Sequence, residues 1–172
     1  KSRLKPGMPI LILGAGPVGL AIAACAKSYG AGPVVVSARS PGRAERSLQM
    51  GADAYMVNDE TLGESFAAFA GGAPEIVFEC VGTPGMLERC AELVALKGEV
   101  IMAGACNGFD KLFGVRPTVK EINFQFVAAY TIREFVAAQE LIASGRIDPM
   151  PMFDGLVSLD LGLGNDYPFA RS

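Results

Sequence analysis

The segment that most limits this chain is "PILILGAGPVGLAIAACAKSYG", Pro9 to Gly30. A short apolar run stops at three closely spaced glycines, and a pattern of helical period starts at once. A strand that turns directly into a helix through G-x-G-x-x-G leaves few folds open. Gly14 permits the tight turn. Gly16 carries no side chain, so a phosphate can approach the backbone. Gly19 lets the helix lie close to the strand. Pro17 suits the first helical turn, where its missing N–H costs nothing, and Gly30 suits the far end. Val18, Ile22, Cys25 and Tyr29 recur about once per turn. The start of such a helix offers free N–H groups and the positive end of its dipole to an anion. Gly14, Gly16, Pro17, Val18 and Gly19 therefore read as a pyrophosphate cradle.

The rest of the chain repeats the same alternation. Strands are expected at 9–13, 33–37, 54–57, 75–80, 99–104 and 122–129. Helices are expected at 17–29, from Ser40-Pro41 to about Gly51, at 60–70, from Thr83-Pro84 to about Leu96, and from Thr131 to about Ser144. A loop is expected over 105–120, which contains Pro117. Thr131 and Glu134 match a capping box, with Tyr130 and Phe135 placed as a hydrophobic staple. The strands are short and continuously apolar, which implies a sheet buried on both faces. The order βαβαβ, twice over, predicts an α/β Rossmann fold: a doubly wound, six-stranded parallel sheet with helices on both faces.

The end of the second strand should lie beside the ribose of a bound dinucleotide. A carboxylate there, about twenty residues past the glycines, accepts from a ribose 2′-OH. Between Ala31 and Gly42 the chain has no carboxylate. It offers Ser37, Ala38 and Arg39, with Arg43 just beyond. A small residue leaves room for a 2′-phosphate, and a guanidinium pairs with it through two N–H groups. The expected cofactor is therefore NADP(H) in preference to NAD(H).

Bulk properties exclude several other classes. The 172 residues suggest one domain and a remnant, and 51% are apolar, enough for a real core. The net charge is −3 and no long basic run is present, so nucleic acid is not an expected partner. No apolar run reaches about eighteen residues, which argues against a membrane span. The glycines interrupt the first apolar run, which does not match a signal peptide. Cys25, Cys80, Cys90 and Cys106 are widely spaced and form no Cys-x-x-Cys, as expected of reduced thiols in a cytoplasmic protein. The chain has no histidine, the commonest metal ligand and general base. No metal site and no catalytic residue are assigned. Cys80, Cys106 and Glu79 fall near strand ends, but nothing beside the thiols in sequence is an evident base. Glu79 reads as a positioning or structural acid. The chain begins at Lys1 with strand residues almost at once, as expected of a piece of a longer protein.

Four stretches in register resemble the medium-chain dehydrogenase/reductase family, the zinc-containing alcohol dehydrogenases and their relatives. They are "LKPGMPILILGAGPVGLAIAACAKSYGA", "QMGADAYMVND", "VFECVGTPGMLERCAELVALKGEVIMAG" and "AAQELIASGRID". The glycine loop is common to many families. The spacing from it to "GAD", "ECVG" and "KGEVIMAG" is far more specific. The resemblance covers about 3–148. It implies that 1–148 is an NAD(P)-binding Rossmann domain. It also implies that 149–172 is a tail, the remnant of a return to a missing catalytic domain that would carry the zinc. The cofactor contacts it implies are Cys80, Val81 and Gly82 near the riboses, Ala103, Gly104 and Ala105 against the nicotinamide, and Val127 with Ala128 near the carboxamide.

The implied activity of the full-length protein is hydride transfer between the nicotinamide and an alcohol or carbonyl substrate. This chain alone is expected to be inactive. Alternatives are a zinc-free quinone or enoyl reductase domain and a non-catalytic NADP(H)-binding module. A methyltransferase of similar topology ranks lower, because its ribose-binding acid is missing too. A small-molecule substrate is the expected partner of the full protein. The apolar last strand, without Pro or Lys after Ile122, is an unblunted sheet edge. A homodimer through 122–130 is expected.

Overall fold

The computed structural model describes residues 1–155. Six strands form one parallel sheet in the order β3-β2-β1-β4-β5-β6. They are β1 (Ile10–Leu13), β2 (Val34–Ala38), β3 (Ala54–Val57), β4 (Ile76–Glu79), β5 (Glu99–Met102) and β6 (Asn123–Phe126). The helices are α1 (Pro17–Ser28), α2 (Ala44–Gln49), α3 (Leu62–Ala70), α4 (Met86–Leu93), α5 (Val115–Val119) and α6 (Ile132–Ala143). A 3-10 turn, Pro41–Arg43, leads into α2. The doubly wound sheet expected from the alternation is present.

The central strands are buried on both faces because helices cover both. All four residues of β1 are fully buried, and β4 and β5 are buried throughout. Removing each such aliphatic side chain from water stabilises the fold by about 1.5–3 kcal/mol. Ile10 and Ile12 join Val34, Val36, Ile76 and Phe78 in one core cluster, while Leu11 and Leu13 join Val35, Leu62, Phe66 and Val77 in the other. This alternation is the two-residue period of a strand read on a sheet with two cores.

Three local expectations are corrected. The stripe Val18, Ile22, Cys25 and Tyr29 lies at the edge of the buried face: α1 buries Gly19, Leu20, Ala23 and Ala26, Ile22 packs half-buried against the core, and Val18 and Tyr29 are 53% and 55% exposed. At Gly19 itself no side chain fits, because a Cβ there would overlap the Gly14 carbonyl oxygen. Helix α4 starts at Met86 and stops at Leu93, shorter than 83–96 at both ends. The expected loop 105–120 contains α5, with Pro117 at its third position. The first turn tolerates proline because its N–H groups have no partner inside the helix.

Helix α6 starts as its sequence says. Thr131 Oγ1 accepts the Glu134 N–H at 3.3 Å, and Glu134 Oε2 accepts the Thr131 N–H at 2.6 Å. The rings of Tyr130 and Phe135 stack 5.8 Å apart. Of the expected tail 149–172, the segment 149–155 runs beside α2, where Arg46 pairs with Asp154 at 2.6 Å. The rest of it, 156–172, lies outside the described residues. No helix among the described residues is long and apolar enough to cross a membrane.

Candidate cofactor site

The strand order reverses between β1 and β4. From β1 the chain winds outward to β2 and β3, and from β4 it winds the other way to β5 and β6. Ligands in open α/β sheets bind at such a switch point, beyond the carboxyl ends of the strands. The register places Leu13 beside both Ser37 and Glu79, and Glu79 beside Met102. The segments that follow these residues are therefore neighbours. They hold nearly every residue that the sequence assigns to the cofactor.

Each glycine of the first turn answers to a different constraint. Gly14 has φ +108°, a conformation that L side chains rarely adopt. A Cβ there would also lie 3.1 Å from the carbonyl carbon and oxygen of Cys80. A Cβ on Gly19 would overlap the carbonyl oxygen of Gly14. Around Gly16 the situation is opposite: an added Cβ would meet nothing within 4 Å. Its smallness serves no packing need within the protein, which is what a phosphate berth requires. Gly16 also begins α1, and no side chain caps the free N–H groups there. Pro17 and Val18 are exposed on the same turn.

The second strand's end lies against this turn. The Gly14 N–H donates to the Ser37 carbonyl at 2.8 Å. Ser37 is fully buried and reaches the turn through its backbone. Ala38 is half-buried, and Arg39 and Arg43 are exposed. Among the described residues neither arginine makes an ion pair. Arg43 stands near Tyr55. Burial lifts that phenol above its ordinary pKa, and the charge of Arg43 pulls it back.

On the other side of the switch point, three segments interlock. Glu79, fully buried, accepts the N–H groups of Val81 at 2.6 Å and Gly82 at 2.8 Å on Oε1. Its backbone carbonyl accepts those of Ala103 and Gly104, both at 2.8 Å. A Cβ on Gly82 would lie 2.8 Å from the Ala105 backbone, and one on Gly104 would lie 2.5 Å from Glu79 Oε2. Gly104, Ala105, Val127 and Ala128 then line one cavity of about 460 Å³. Phe126, Leu87 and Cys106 complete much of its wall.

Three of the four thiols, Cys25, Cys80 and Cys90, are unsuited to act as nucleophiles. Burial pushes Cys80 up to about 12, with the Glu79 charge adding to it. Burial likewise raises Cys25 and Cys90. A thiol that stays protonated at neutral pH is a poor attacking group. The sequence reading missed Asp110, which also borders the cavity. Its Oδ1 accepts from the Gly85 N–H at 2.6 Å and its Oδ2 from the Leu87 N–H at 2.9 Å. The one available signal was that α4 opens on a glycine, which has no side chain to cap it.

The zinc-binding dehydrogenase family model matches residues 17–144. The 2-dehydro-3-deoxy-L-galactonate 5-dehydrogenase of Pseudoalteromonas atlantica is 32% identical over 165 residues, which is 94% of this chain and 48% of that protein. Sorbitol dehydrogenase of Bacillus subtilis is 28% identical over 93% of this chain and 46% of its own length. The chain thus spans about half the length of these relatives. Among solved structures, 2R,3R-butanediol dehydrogenase from Bacillus subtilis superposes with a TM-score of 0.79 at 22% identity, over 88% of this chain and 44% of that one. A short chain alcohol dehydrogenase from Escherichia coli CFT073, complexed with NADH, gives 0.77 at 26% identity, over 86% and 44%.

Proposed function

The chain belongs to the zinc-binding dehydrogenase family, and on that premise we propose that 1–148 is the domain that holds the nicotinamide cofactor of an alcohol or polyol dehydrogenase. The observation that carries the reading is the turn at Gly14–Gly19. It combines a helix close against its strand with an open berth at Gly16 and free N–H groups, at the switch point of the sheet. When bound, the nicotinamide gives or takes a hydride at its C4. The protein's share is to bind and orient. The N–H groups at the start of α1 hold the pyrophosphate. Gly82, Gly104 and Ala105 would leave room for the ribose and ring, and Val127 would lie near the carboxamide.

NADP(H) is the proposed cofactor. The absence of an acid at the end of β2 supports it, as do two exposed arginines that make no ion pair among the described residues. The E. coli relative was solved with NADH, which makes the choice a property to measure in this chain. Segment 149–172 is proposed to lead out of the domain. The zinc in the family's name finds no fit here. Among the described residues no group of three or more Cys, Asp and Glu could hold a metal ion, and the chain has no histidine. Two copies are proposed to join along β6.

Titration of the full chain with NADPH and NADH, followed by the cofactor's fluorescence, tests the reading. Saturable binding of NADPH with a weaker NADH isotherm is expected. Binding of neither would overturn the assignment.

A further inference from the structure

The Glu79 carboxylate is fully buried, and only half of it is satisfied. Oε1 takes two backbone N–H groups, while Oε2 has no partner among the described residues. A buried acid with an unpaired oxygen is costly, so its surroundings deserve an explanation. Oε2 faces Gly104, where a Cβ would lie only 2.5 Å away. Gly104 is itself part of the wall of the 460 Å³ cavity. A single glycine therefore separates the unpaired oxygen from the space assigned above to the nicotinamide.

The rest of the cavity does nothing to offset that charge. Its lining contains one charged residue, Asp110, which is also an acid, and no Lys or Arg. Arg89 lines a different cavity, with Glu60 and Glu64, and pairs with Glu92 at 3.0 Å. The walls are otherwise apolar or small. The oxidised nicotinamide ring is a cation and the reduced ring is neutral. A negative field that no cationic side chain of the lining offsets distinguishes the two.

We propose that Glu79, assisted by Asp110, makes this cavity selective for the redox state of the cofactor, holding the cationic oxidised ring more tightly relative to the reduced ring than a neutral pocket would. The inference rests on the cofactor reading above. Neither acid touches the ring or transfers a proton. Each acts through space, and their effect appears in the ratio of two affinities. By linkage the same ratio shifts the bound couple toward the oxidised form.

The test is calorimetric titration of the full chain with NADP⁺ and with NADPH, for the parent and for Glu79→Gln. Glutamine keeps one oxygen for Val81 and Gly82 and removes the charge. The ratio of the two dissociation constants should move by on the order of tenfold toward the reduced cofactor, the scale of one charge acting across roughly 10 Å at an effective dielectric constant near 20. A purely structural role would weaken both forms alike and leave the ratio unchanged, and that result overturns the proposal. If Glu79→Gln does not fold, Asp110→Asn carries the test: a smaller shift in the same direction supports it, and an unchanged ratio sinks it. Failure of the parent to bind either form would instead overturn the cofactor reading.

Discussion

Asp110 holds the N-terminus of α4 from twenty-three residues away, its Oδ2 accepting the Leu87 N–H at 2.9 Å. With Gly85 as the first residue of the cap, α4 has no local side chain for this task. Asp110 supplies it across space and fixes the wall of the cavity in doing so. Asp110→Ala should lower stability by about 1 kcal/mol, the usual worth of a helix cap. Burial pulls this carboxyl upward, but the N–H groups of Leu87, Gly85, Lys111 and Met86 outweigh it and hold the folded pKa below 3.8. A depressed folded value means the contribution is present above pH 3.8 and is lost as pH falls through the folded pKa. Urea unfolding at neutral pH and near pH 3 should show the Asp110→Ala deficit shrinking in acid. A deficit that grows in acid contradicts the assignment.

The glycine turn makes opposite predictions at two positions three residues apart. Gly19→Ala forces a methyl into the Gly14 carbonyl, so backbone must shift. It should cost about 1–3 kcal/mol of stability and weaken dinucleotide binding together. Gly16→Ala meets nothing within 4 Å in the free protein. It should melt within a degree or two of the parent and still lose at least about tenfold in cofactor affinity, by filling the phosphate berth. Normal binding by a well-folded Gly16→Ala chain would remove the pyrophosphate from this turn.

On the proposed reading, cofactor choice is made at the end of β2. A charge-assisted pair contributes roughly 1.5–3 kcal/mol. Arg39→Ala should therefore lose on the order of tenfold or more for NADP(H) and leave NAD(H) nearly unchanged. Ala38→Asp should favour NAD(H) by supplying an acceptor for the 2′-OH and repelling the 2′-phosphate. Equal losses for both cofactors in Arg39→Ala, or a parent that prefers NAD(H), would contradict the reading.

The sheet was legible because most strands are compact apolar runs between turn residues, and the alternation with helices leaves little freedom of topology. The glycine turn was legible as structure for a similar reason: strand, glycines and helix are contiguous. What was not legible depends on contacts between distant residues. Nothing near α4 in sequence points to Asp110. Pro84 invited an early start for α4, but Gly85, at φ +92°, delays it to Met86. The periodic stripe on α1 is genuine, yet the close approach at Gly19 turns the face of Gly19, Leu20, Ala23 and Ala26 inward and leaves Val18 and Tyr29 outside. The half-satisfied state of Glu79 appears only when Gly104 is brought against it.

The last prediction concerns the open edge. β6 ends the sheet and pairs only with β5 among the described strands. The N–H groups of Asn123 and Val127 point inward, donating to Gly98 and Met102, both at 3.0 Å. By the two-residue period, those of Phe124 and Phe126 point to the open side. Phe126 is 70% exposed, and the residues beyond it continue an uncovered apolar surface, with Tyr130 at 72% and Ile132 at 75%. An unprotected apolar edge of this kind favours pairing with a second copy across a two-fold axis. Phe126→Pro removes an outward N–H and leaves the ladder to β5 intact, so the variant should fold. Sedimentation should show the parent as a dimer and Phe126→Pro as a monomer with the parent's circular dichroism. A parent that stays monomeric well above micromolar concentration, or a Phe126→Pro chain that still dimerises, would rule out β6 as the junction.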